Sequence, residues 1–190
     1  MPEYLLIPEI DRISKMTLDC LNQLLENYSI IKNKNWFEEV LMKGKLSQRR
    51  RIMATAQNIR IKKLIESIGY MEASEISRKA LFKVGLKLGK EARERLNLND
   101  NLTDLSSAAR ILYRVLGIEF YITIEDNKIF LIVEKCALAE YYTIETCKII
   151  SAVDEGVVQG LNPKFNMIFT EWITGDCNEC RACIKYNKMN

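Results

Sequence analysis

Histidine is absent from the 190 residues. Its absence removes imidazole metal ligands, Ser-His-Asp and Cys-His nucleophile systems, and histidine acid–base chemistry. Any metal must then be held by Cys, Asp or Glu. Proline and glycine are scarce, at 3 and 8 residues, which argues against a disordered or repetitive chain. A strong charge of one sign is also missing: 28 basic residues face 25 acidic ones, a net of +3, too little to mark a nucleic-acid binder. No apolar run approaches the roughly 20 residues of a membrane span. The start, Met1-Pro2-Glu3-Tyr4, has neither a basic segment nor an apolar one of the secretory kind, so the expected location is the cytoplasm. The hydrophobic fraction is 48% and the charged fraction 28%. That composition can bury the core of one domain with at most a small appendage.

Hydrophobic spacing predicts an α+β chain that begins with helices. Leu18, Leu21, Leu24 and Leu25 recur at three- and four-residue steps, which predicts a helix from Glu9 to Tyr28. A shorter helix from Trp36 to Met42 would stop at Gly44, and a third from Ser47 to Ile68 at Gly69. Ser74 can cap a long helix from Glu75 to Leu96, and a fifth runs from Leu102 to Leu116. The period then changes to two. Ile118, Phe120, Ile122 and Ile124 alternate, a turn at residues 125–128 follows, and residues 129–133 complete a hairpin. A helix opening at Thr143 or Thr146, a strand from Phe165 to Ile173 and a short last strand from Ile184 to Tyr186 give a β-β-α-β-β tail with an antiparallel sheet. The expected organisation is a helical extension over residues 1–70 followed by a domain over 71–190.

The cysteines carry the chemistry. Five of six lie at Cys136, Cys147, Cys177, Cys180 and Cys183. In a reducing cytoplasm grouped cysteines are read first as metal ligands. Cys177-x2-Cys180-x2-Cys183 puts three thiols beside a turn, and one ligand from a separate element would close a tetrahedron. Cys147 is the first choice for it, with Cys136 and Glu171 in reserve. Sulfur ligands without histidine favour zinc, or alternatively an iron–sulfur cluster. Four cysteines around zinc leave no open position, so that site would be structural. Cys20, inside a leucine-rich helix, reads as a small buried hydrophobe.

Around these residues the sequence resembles the 4-vinyl reductase domain family, which is related in fold to subunits of TRAPP vesicle-tethering complexes and to the sensory domains of aromatic-responsive regulators. The similar stretches are the helix around Gly85 and Gly89, the strand end at Cys136, the segment Cys147 to Gly160, and Thr170 to Asp176 with the cysteines after it. The resemblance implies metal ligands at Cys147, at Glu171 and at cysteines flanking Gly175-Asp176. This chain departs from the family by carrying Thr174 where a cysteine is usual. The resemblance further implies a pocket between helices and sheet for a small apolar or aromatic molecule, frequently in a homodimer. The main expectation is thus a ligand-binding protein with structural zinc. The alternatives are a reductase acting on tetrapyrroles, or a regulatory protein contacting nucleic acid through a basic helix.

Other signals read more plainly. Lys43, Lys45, Arg49, Arg50, Arg51, Arg60, Lys62 and Lys63 form a basic stretch without an acid between Leu41 and Leu64. It favours a solvated face meeting an acidic partner over nucleic acid, since no helix-turn-helix accompanies it. Gly85 and Gly89 lack the spacing of a phosphate loop and fit close helix packing. Tyr113, Phe120, Tyr121, Tyr141, Tyr142, Phe165 and Phe169 are read as core first and pocket lining second. Asp154-Glu155 points in two directions on a helix and reads as solvated.

Overall fold

Glycine and backbone chemistry set the helix boundaries. The computed structural model describes residues 2–28, 30, 40–175 and 177–186. Helix α1 spans Ile7–Asn27 and α2 spans Leu46–Ile68. Gly69, at φ 81°, turns the chain so sharply that α3, Tyr70–Leu96, begins on the next residue. The helix therefore starts well before the expected cap Ser74, because a residue free to take positive φ reverses the path without a loop. Helix α4, Leu102–Leu116, is capped by the Asn101 side chain, which accepts from the Asp104 amide, and stops at Gly117 in the left-handed region. Residues 36–39 of the expected short helix lie outside the described residues, and residues 40–42 are not helical.

The sheet follows. Strands β1, Ile118–Glu125, and β2, Lys128–Cys136, form the expected hairpin. Asp126 and Asn127 both hold positive φ, at 49° and 59°, as a two-residue turn matched to strand twist requires. Helix α5, Ile144–Leu161, is capped by Thr143. Strand β3 spans Phe165–Glu171 and β4 Cys180–Tyr186. The four strands are antiparallel in the order β1-β2-β4-β3. Strand β4 is longer than expected, and two of the cysteines assigned to the turn are strand residues.

Helix α5 lies between two cores. One cluster joins α1, α2 and α3 to α5 through Ile10, Leu21, Met53, Leu81 and Ile149. The other joins α4, α5 and the inner sheet face through Ala108, Leu131, Val158, Phe169 and Ala182. Helices α3 and α5 touch backbone to backbone. A Cβ on Gly85 would stand 2.0 Å from the Val153 carbonyl oxygen, and one on Gly156 2.2 Å from that of Phe82. Gly89 and Gly160 repeat the contact one turn on, at 2.3 and 2.4 Å from Val157 and Leu86 oxygens. The small-residue spacing is helix packing, as its sequence suggests.

Candidate functional site

A cavity of about 80 Å³ sits where the two cores meet, bounded by α1, α2, α4, α5 and the inner face of the sheet. Helix α5 supplies one stripe of it. Cys147, Ile150, Ser151 and Asp154 recur at the three- and four-residue steps that place side chains on one helix face. Cys136 at the end of β2 and Cys180 at the start of β4 face them across the cavity. Three thiols from three elements therefore converge, while Val133 and Phe169 keep much of the sheet-side wall apolar, and Trp172 adds a ring whose buried indole N–H has no hydrogen-bond partner among the described residues.

The helical wall holds a satisfied polar chain. The Tyr142 hydroxyl donates to Gln57 Oε1, Gln57 Nε2 donates to Thr17 Oγ1 at 2.7 Å, and Thr17 donates to the Ile13 carbonyl at 2.9 Å. Asn58 Oδ1 accepts from Thr146 Oγ1 at 2.7 Å and from the Thr143 amide at 3.2 Å, tying α2 to the start of α5. With every member partnered, this network fixes the wall.

Desolvation governs the titratable groups. Burial pushes the Cys136 thiol up to about 11 and Cys147 to about 12, and raises Cys180 as well. Backbone amides of Leu138 and Ala139 at Cys136, the Thr174 hydroxyl at Cys147 and the Ile173 amide at Cys180 offset this only in part. The thiols are neutral at physiological pH. Asp154 is pushed up to about 7 by burial and by the neighbouring Glu155, against a hydrogen bond from the Tyr113 hydroxyl that favours its ionised form. Burial also holds the Tyr113 and Tyr142 phenols well above their usual value.

The expectation that Asp154 and Glu155 are solvated does not hold. Asp154 lines the cavity, and Glu155 is buried with its carboxylate 2.7 Å from the Arg78 guanidinium. The available signal was the position of Asp154 seven residues after Cys147, two turns along the same face.

The expected metal ligands are not brought together as a set. Cys180 and Cys183 are an odd number of positions apart on β4, so they point to opposite faces of the sheet, as the alternating burial of the strand records. Cys183 pairs with Phe130 and Ile168 on the outer side. Glu171 is exposed at the end of β3, opposite Arg181. Cys177 is half-buried ahead of β4. Thr174, at the position of the family cysteine, does meet Cys147. Among the described residues no group of three or more Cys, Asp or Glu could hold a metal ion.

The basic stretch is partly consumed inside the molecule. Arg49 pairs with Asp11, Arg50 donates to the Val115 and Arg114 carbonyls at 2.8 and 2.7 Å, and Arg60 is buried against Asn22 and the Ala56 carbonyl. Of the seven aromatics, Tyr113, Tyr142 and Phe169 line the cavity, Phe120 and Phe165 are core, Tyr141 is half-buried against the helical core, and Tyr121 is exposed. No helix among the described residues is long and apolar enough to cross a membrane.

The fold has a counterpart of known structure. Trafficking protein particle complex subunit 3 from Naegleria fowleri, in a crystal structure covalently bound to palmitic acid, matches with a TM-score of 0.60 at 12% identity, over 74% of this chain and 96% of that one. At that identity the likeness is one of fold. A comparison with curated proteins finds no match. The fold relationship implied by the 4-vinyl reductase resemblance is supported, although the family matched is a different one. The family model of L-2-amino-thiazoline-4-carboxylic acid hydrolase matches residues 49–184, from α2 to β4, and the chain therefore belongs to that family.

Proposed function

We propose that this protein holds a small, largely apolar molecule in the cavity between α5 and the sheet. The observation that carries the reading is the convergence of three thiols, Asp154 and two phenols on a largely apolar cavity at the junction of both cores. Ligand sites commonly combine an apolar wall with a few directed polar groups. The palmitic acid on the neighbour of like fold supports the view that this architecture accommodates apolar molecules. The space of about 80 Å³ here is smaller than the roughly 150 Å³ that holds benzene in an engineered cavity. It suits a compact molecule, and a tetrapyrrole is several times too large.

Titration calorimetry with small apolar compounds, combined with mass spectrometry of organic molecules released from the purified protein, tests this. Cys147→Leu is expected to fill the cavity, abolish binding and stabilise the fold by about 1 kcal/mol. Unchanged binding in that variant would refute the reading.

A second reading, hydrolysis, is favoured by Asp154. A carboxyl pushed up to about 7 is in the range of a general base at neutral pH. It would take a proton from water as the oxygen adds to a C=N carbon. Turnover of L-2-amino-thiazoline-4-carboxylic acid by the wild type, lost in Asp154→Asn, is the expected outcome under that reading. Absence of turnover would leave binding alone.

A further inference from the structure

Charge inside the cavity narrows the class of ligand. A second lobe of about 30 Å³ adjoins the first and shares Ile13, Tyr113, Leu116, Val153 and Asp154 with it. Asp154 therefore stands at the junction. No Lys or Arg is among the described residues lining either lobe. The second acid, Glu9 in the smaller lobe, already has the Arg95 guanidinium at 3.1 Å. Asp154 has no such partner: the groups that act on it are Glu155, which repels, and Tyr113, which hydrogen-bonds. Arg78, on the far side of Glu155, is engaged there.

Every other ionisable group around Asp154 is a phenol or a thiol, namely Tyr113 on α4, Tyr142 before α5, Cys136 on β2, Cys147 on α5 and Cys180 on β4. Such groups are neutral or become negative. The cavity thus offers a cation one half-buried carboxylate and aromatic faces, and its described lining offers an anion no countercharge.

We infer that the cavity takes a small planar organic cation of the amidine or isothiourea class, held through paired N–H groups by Asp154. The planar N–H pair of such a cation matches a carboxylate bidentately. An added carboxylate on the ligand meets the unpaired Asp154 and no Lys or Arg among the described residues lining either lobe. This chain should therefore prefer an aminothiazoline ring lacking the carboxylate to the carboxylic acid for which the family is named.

The inference rests on the cavity being a ligand site, and a pair of near-isosteric rings, with the carboxylic acid beside them, separates the two claims. Calorimetry at pH 7 would compare 2-amino-2-thiazoline, a cation, with 2-methyl-2-thiazoline, which is neutral, and with L-2-amino-thiazoline-4-carboxylic acid. The cation is expected to bind wild type at least about tenfold more tightly than either competitor. In Asp154→Asn, checked for folding by circular dichroism, the preference over the neutral ring should collapse. Equal binding of the neutral and cationic rings to wild type, or tighter binding of the carboxylic acid, would overturn the charge assignment and leave the cavity reading intact. Binding of none of them, together with none of the smaller neutral rings cyclopentane and furan, would overturn both. The wild-type comparison decides the matter even if the variant does not fold.

Discussion

Asp154 is where residue chemistry most directly sets behaviour. Its carboxyl titrates near 7 in the folded chain against an ordinary value of 3.8. Between these values the native state keeps a proton that the unfolded state has released, so this group's contribution to stability falls as pH rises from about 4 to about 7 and is level above that. Asp154→Asn removes the decline. The variant is expected to match wild type near pH 4 and to exceed it by about 2–4 kcal/mol at pH 8. Urea unfolding at both values checks this, and a pH-independent difference would contradict the burial of the carboxyl. At this scale the sequence was only partly legible. Cys136, Cys147 and Cys180 stand out in the sequence, but the acid that shares their cavity, Asp154, does not. Whether an acid on a helix faces water or a cavity depends on what packs over it, and adjacent positions such as Asp154 and Glu155 carry no mark of that.

Elements follow local chemistry more closely. The period of two in β1 and β2, the Asp126-Asn127 turn and the caps at Asn101 and Thr143 are all visible as residue types. The α3–α5 contact is the element-scale feature with the largest expected consequence. Gly156→Ala places a methyl 2.2 Å from the Phe82 carbonyl oxygen, a backbone atom that cannot swing aside, so the helices must part. A loss of about 3 kcal/mol or more is expected in denaturant unfolding. Arg50 caps α4 by donating to the Val115 and Arg114 carbonyls from another helix. Arg50→Ala should cost about 1–2 kcal/mol, with faster amide exchange confined first to the end of α4 and to Gly117. Strand β4 was the misread element. Three cysteines spaced by two suggest a turn that wraps an ion, yet register with β2 and β3 extends the strand back to Cys180 and puts Cys183 on the opposite face.

At the scale of the whole molecule, the arrangement of the thiols bears on what holds the fold together. A structural zinc would contribute on the order of 10 kcal/mol, and its removal would unfold a small domain. With the expected ligands on two sides of the sheet, overnight treatment with a strong chelator is expected to leave the thermal midpoint unchanged, as differential scanning calorimetry would record. A large drop would show that the cysteines gather around a metal after all.

Composition and periodicity by themselves determined the absence of imidazole chemistry, the order of helices and strands, the antiparallel hairpin and the glycine seam, because each follows from residue types acting over a few positions. Only the tertiary structure decided which cysteines share a space, that Asp154 faces a cavity, and that Arg50 and Arg60 serve the interior. Those facts depend on which faces of distant elements meet, and a burial or an alignment across α1, α2, α5 and the sheet has no local signature in the chain.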